Sequence, residues 1–96
     1  MNPPYFHNER LRTAIFNHQL AALDAVLVTF GFKKKVTTIA YQSHTLGKYS
    51  VDVISTDTWR LTYDFVFEYE GPVDQPGELY KALLGQGLDD LYLESV

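Results

Sequence analysis

Trp59-Arg60-Leu61-Thr62-Tyr63-Asp64-Phe65-Val66-Phe67-Glu68-Tyr69-Glu70 is the stretch that decides the fold class. Trp59, Leu61, Tyr63, Phe65, Phe67 and Tyr69 alternate with Arg60, Thr62, Asp64, Val66, Glu68 and Glu70, and five of those six alternate positions are polar. Successive side chains of a strand point to opposite faces. The spacing therefore predicts one strand from Trp59 to Glu70, with one face buried and the other wet. A sheet with one apolar face needs a cover, and the segments on either side supply it.

Two shorter β-prone runs precede this strand, about Val36 to Ser43 and about Lys48 to Ser55. For the odd-numbered apolar residues to share a face, each hairpin needs an odd loop or a bulge. Thr45-Leu46-Gly47 fits a three-residue loop with Gly at the left-handed position, which sets Tyr41 against Val51 and Ile39 against Val53. This loop would place His44 in the hairpin turn. Ser55-Thr56-Asp57 fits a second such loop and sets Val53 against Trp59, Val51 against Leu61 and Tyr49 against Tyr63. The same register brings Asp52 opposite Arg60 and Lys48 opposite Asp64, pairs of opposite charge that favour it.

Upstream, the spacing predicts a long helix over Asn8 to Phe30. Asn8 is an N-cap type with Glu9 in the first turn, where the helix dipole favours an acid. Ile15, Phe16, Leu20, Ala22, Leu23, Val26, Leu27 and Phe30 form its apolar side. Gly31 follows as the terminating residue, with Phe32 folding back on the last turn and Lys33 to Lys35 at the negative helix end. Between Leu20 and Phe30 only Asp24 and Thr29 are polar. A helix so apolar asks for cover on more than one side, and a homodimer through this helix is the expectation. Downstream, a loop over residues 71–77 leads into a short helix from about Gly77 to Leu84 with Gly85 as its stop. Asp89 to Ser95 is read as a fourth, edge strand.

Composition bounds the rest. The chain has 96 residues and no cysteine, with 46% hydrophobic and 21% charged residues. One domain spanning residues 1–96 is the expectation, and disulfides, thiolate metal sites and Cys nucleophiles are excluded. No run reaches the ~18 apolar residues of a membrane span. Met1-Asn2-Pro3-Pro4 lacks the basic and apolar regions of a secretion signal, so the cytoplasm is the expected setting. Charge is lopsided: residues 1–56 hold six bases against three acids, residues 57–96 two bases against nine acids. An acidic half disfavours a nucleic-acid footprint, which needs clustered Lys and Arg, and suits a basic protein partner.

Catalytic and metal signals are sparse. His7, His18 and His44 have no ligand at i±4, so no metal site and no cofactor is expected. Ser43 and His44 are neighbours on a strand and point to opposite faces. Gly85-Gln86-Gly87 is no phosphate loop. Asp64 and Glu68 share a wet face, which leaves them as ordinary solvated acids. One alternative has content: Lys34 as phosphate contact with Tyr41 and His44 as proton donors would make a small ribonuclease-type toxin.

The reading is thus an α+β domain, a long N-terminal and a short second helix on one face of a three-stranded antiparallel meander. The expected function is non-catalytic: a small acidic protein-binding module of the inhibitor, immunity or antitoxin, or chaperone type. Its expected binding residues are Glu68, Tyr69, Glu70, Asp74 and Tyr80, where acids steer a basic partner and tyrosines anchor it.

Overall fold

The computed structural model describes residues 4–91, with side chains from Asn8 onward. Helix α1 covers Pro4–Thr29 and begins a turn before the Asn8 cap predicted from sequence. Five strands follow: β1 Lys33–Lys35, β2 Gln42–Leu46, β3 Tyr49–Val53, β4 Thr58–Tyr63 and β5 Val66–Pro72. Helix α2, Pro76–Gly85, comes last. The strands form one antiparallel meander in the order β1-β2-β3-β4-β5. The α+β class and the antiparallel sheet stand; the count of three strands is too low by two.

One extra strand comes from the deciding stretch. Trp59–Glu70 is not one strand but a hairpin, turned at Asp64 and Phe65 with φ of 50° and 67°. Positive φ at both central residues is the signature of the type I′ turn, whose twist matches the flanking strands. This turn reverses the alternation, setting Val66 opposite Tyr63 and Phe67 opposite Thr62 on the wet face. The register then shifts beyond the Leu61/Thr62 step, with Glu68 as the extra residue, and Tyr69 returns opposite Leu61. The two reversals cancel. Unbroken alternation therefore places Tyr69 correctly and Phe67 wrongly.

The other extra strand is β1. Lys33 to Lys35 do not merely follow the helix; they pair with Thr45, His44 and Ser43 along the opposite edge. The segment read as the first strand is largely a loop, with Val36 and Ile39 at 95% and 94% exposure. The β2–β3 turn is also tighter than predicted. Leu46 pairs directly with Tyr49 across Gly47 and Lys48. Gly47 has φ +59, and Gly at the first position of a two-residue loop suits the type II′ turn. Pairing is thereby displaced by three residues, an odd number, so faces exchange. Val51 lies opposite His44, not Tyr41, and Val53 opposite Gln42, not Ile39. The β3–β4 register, in contrast, agrees throughout: Val53 with Trp59, Asp52 with Arg60, Val51 with Leu61, Tyr49 with Tyr63.

The core lies between this sheet and the two helices. Leu23 and Leu27 of α1, Phe30 just past its end, Val51, Val53, Trp59 and Leu61 of the sheet, and Leu79 and Leu83 of α2 are all buried. Leu11 and Ile15, earlier on α1, stay exposed, at 58% and 47%. Both helices end alike. Phe32 N–H donates to Leu27 O and Gly31 N–H to Val28 O, and likewise Leu88 N–H to Leu83 O and Gly87 N–H to Leu84 O. This doubled bond is the Schellman closure. It assigns the stop of α2 to Gly87 and not to Gly85. Asp89, Asp90 and Leu91 enter no strand, and the rest of the expected C-terminal strand, residues 92–95, lies outside the described residues.

Candidate binding surface on the outer strand

Among the described residues strand β5 is paired on one side only. Its partner β4 carries Trp59, fully buried, whose indole Nε1–H donates to Pro72 O at 3.1 Å. The ring lies directly over Gly71, where a Cβ would come within 2.2 Å of Trp59 Cζ2. Only glycine leaves room for the indole there. Tyr69 continues the stack, its ring centroid 5.7 Å from that of Trp59. On the opposite face, Arg60 reaches across the register to Glu70. Its Nε and Nη2 both donate to Glu70 Oε1, at 2.9 and 2.7 Å. The guanidinium carbon stands 6.0 Å from the Phe67 ring centre. Asp52, although opposite Arg60 as predicted, accepts instead from Ser50 Oγ at 3.0 Å.

The other side of β5 meets no strand among the described residues. Val66, Phe67 and Tyr69 are 63%, 57% and 46% exposed, and Phe65 at the turn is 98% exposed. An edge strand presents unpaired N–H and C=O groups along its length. Here they are accompanied by three apolar side chains interleaved with Glu68 and Glu70.

The five residues singled out from the sequence fall into three places. Glu68, Tyr69 and Glu70 are consecutive on β5: Glu68 at the bulge, Tyr69 against Trp59, Glu70 on Arg60. Asp74 lies exposed in the loop before α2. Tyr80 lies on α2, its ring 5.3 Å from Phe30, and its hydroxyl donates to Asp90 Oδ2 at 3.1 Å. Burial, then the hydrogen bond and negative charge of Asp90, hold that hydroxyl above the usual phenol range. Tyr80 is thus tied into the α1–α2 contact, away from β5. Phe67 belongs to the surface and escaped sequence reading, because only the turn at Asp64-Phe65 turns it outward; Val66 is exposed as well but was not singled out.

The ribonuclease-type set is divided. Lys34 is exposed on β1, and Tyr41 is exposed in the loop, with its ring edge-on to Phe16 at 5.1 Å. His44, however, has no exposure at all. Its Nε2 lies 2.5 Å from Asp24 Oδ1 on α1. With the carboxylate as acceptor, Nε2 carries the hydrogen, and Nδ1 is buried without a partner. Next to it, Gln42 Nε2 donates to Leu20 O at 3.1 Å. A general acid must reach the proton it transfers, and this imidazole reaches only α1. Its work is to fasten the helix to β2. Among the described residues no three His, Asp or Glu side chains converge as a metal site would require. Nor is any helix among them long and apolar enough to cross a membrane.

Compared with protein-family models, with curated proteins and with solved structures, the chain matches none.

Proposed function

We propose that the protein is a non-catalytic binding module of the inhibitor, antitoxin or chaperone type, which takes a basic, extended segment of a protein partner onto the free edge of β5. One observation carries this reading: among the described residues no strand pairs with the long outer edge of the sheet, and its exposed Val66, Phe67 and Tyr69 stand beside Glu68 and Glu70. Adding a strand to such an edge draws affinity from main-chain hydrogen bonds and specificity from alternate side chains. Glu68 and Glu70 sort the partners. A second β5 would bring Glu against Glu, which repels; a strand bearing Lys or Arg would not. The acids also raise the capture rate, an effect that salt screens over ~8 Å. Nothing in the placement of Lys34, Tyr41 and His44 favours the ribonuclease alternative.

The test uses a defined probe, an alternating Lys/Val peptide of about eight residues, the length of a typical strand, titrated into isotope-labelled protein. Amide shifts should concentrate on Val66–Gly71, weaken as salt rises, and vanish with an alternating Glu/Val peptide. Glu68→Lys should slow association far more than it alters dissociation. Shifts confined to α1 or to the polar face of the sheet would refute the proposal.

A further inference from the structure

Toward its N-terminus α1 runs on with its surface exposed. All residues from Asn8 to Ile15 are exposed, although a free helix of fewer than ~12–15 residues is marginal in water. Along this overhang Leu11, Ile15, His18 and Ala22 recur at intervals of four, three and four, the spacing of a coiled-coil seam. The seam points neither at the sheet nor at the core residues Leu23 and Leu27. Its C-terminal part opens into a groove of about 400 Å³ walled by Asp74 and Pro76 at the entrance of α2.

We infer that a second copy of this chain fills the seam, its α1 antiparallel to the first and related by a two-fold axis passing between Phe16 and Asn17. Three features select this occupant. The first is size. In that register the exposed Leu11 of one copy meets the small Ala22 of the other, and Ile15 meets His18. Every contact is returned by symmetry, as a closed two-fold interface requires. The second is the flanks. Ala14 and Ala21 border the seam on one side, so two helices approach closely with no charge between them. The third is charge. On the other side Arg12 of one copy comes beside Gln19 of the other. Gln19 shares a groove with Asp74 and with no Lys or Arg, so the incoming Arg12 arrives near an acid. A parallel pairing would instead set Arg12 beside the opposite flank of its partner, the side that carries Ala14 and Ala21, with no acid to receive it. The dimer leaves β5 free, so it does not compete with the strand-capture surface.

Sedimentation velocity on the full chain tests this. At about 100 µM, where mass action favours association, the species should have twice the 11.0 kDa mass of one chain. Ile15→Glu, at a position already exposed, should keep the circular dichroism of the fold and weaken dimerisation at least about thirtyfold, as loss of a central anchor does. Arg12→Glu should weaken it, and Asp74→Arg added to Arg12→Glu should restore part of the loss. Because the chain has no cysteine, His18→Cys, beside the axis, should crosslink on mild oxidation, whereas Asn8→Cys should not. A monomer at this concentration, or a dimer indifferent to Ile15→Glu, would overturn the inference. A dimer that crosslinks through Tyr69→Cys and not through His18→Cys would also overturn it and place the contact on β5.

Discussion

Lys33, Lys34 and Lys35 close one side of the sheet with three residues, all exposed; Val66–Pro72 close the other with seven, of which five are exposed. Both edges need protection from unwanted pairing, and each finds it differently. A short strand made wholly of lysine repels most neighbours and offers little backbone to bind. The long edge has apolar side chains, is bent by a bulge and carries acids. Bulge and acids discourage self-pairing without discouraging a basic strand. The backing differs too. The lysine side is tied to α1 by Asp24–His44 and Gln42–Leu20, polar contacts beneath β2. The acidic side rests on Trp59 packed over Gly71. One edge is held by hydrogen bonds to a helix, the other by the fit of a ring to a missing side chain.

The largest effect should come from disturbing that fit. Gly71→Val would drive side-chain atoms into the indole, and overpacking of this kind costs about 3 kcal/mol or more. Urea unfolding followed by Trp59 fluorescence should show the midpoint fall accordingly. An unchanged midpoint would mean that β5 is not seated by Trp59. On the lysine side, Asp24→Ala strips the last partner from a buried imidazole, at about 1–3 kcal/mol. In the same assay, His44→Leu should make Asp24→Ala almost without effect, since the pair acts as a unit. Additive losses would separate the two residues and leave α1 fastened by packing alone.

How much of this contrast the sequence discloses depends on which irregularities leave a mark. Strands β3 and β4 are regular and joined as expected, so their register is legible residue by residue, down to Asp52 opposite Arg60. Gly31 marks the end of α1 because a helix stop has its own chemistry. The errors gather where parity changes unseen. Gly47 is visible as a turn residue, but its place in the loop, first of two or last of three, decides whether Tyr41 or His44 faces the core. That one ambiguity hid the Asp24–His44 contact. The acids of β5 were legible as charge and Tyr69 by alternation. Phe67 was not, because nothing announces a hairpin at Asp64-Phe65, where the favoured residues are Asn-Gly or Asp-Gly.

That unannounced turn yields the smallest prediction and the one that most sharpens the comparison. Phe65 holds φ 67°, a region that costs a residue with a Cβ roughly 1–2 kcal/mol. Its side chain is 98% exposed and returns nothing through packing. Phe65→Gly relieves the backbone while removing no buried contact, and the greater freedom of glycine in the unfolded chain takes back part of the gain. The net should be a stabilisation of about 0.5–1 kcal/mol by urea unfolding, in contrast with the losses at Gly71 and Asp24. If Phe65 is retained for a partner, the same variant should bind the basic peptide less tightly while folding more stably. Stability and binding would then move in opposite directions at one residue, as expected where strain is kept at a functional surface. No gain in stability would mean that the turn relaxes without cost. A gain with unchanged peptide binding would confine the contact to Val66–Gly71 and leave the turn outside it.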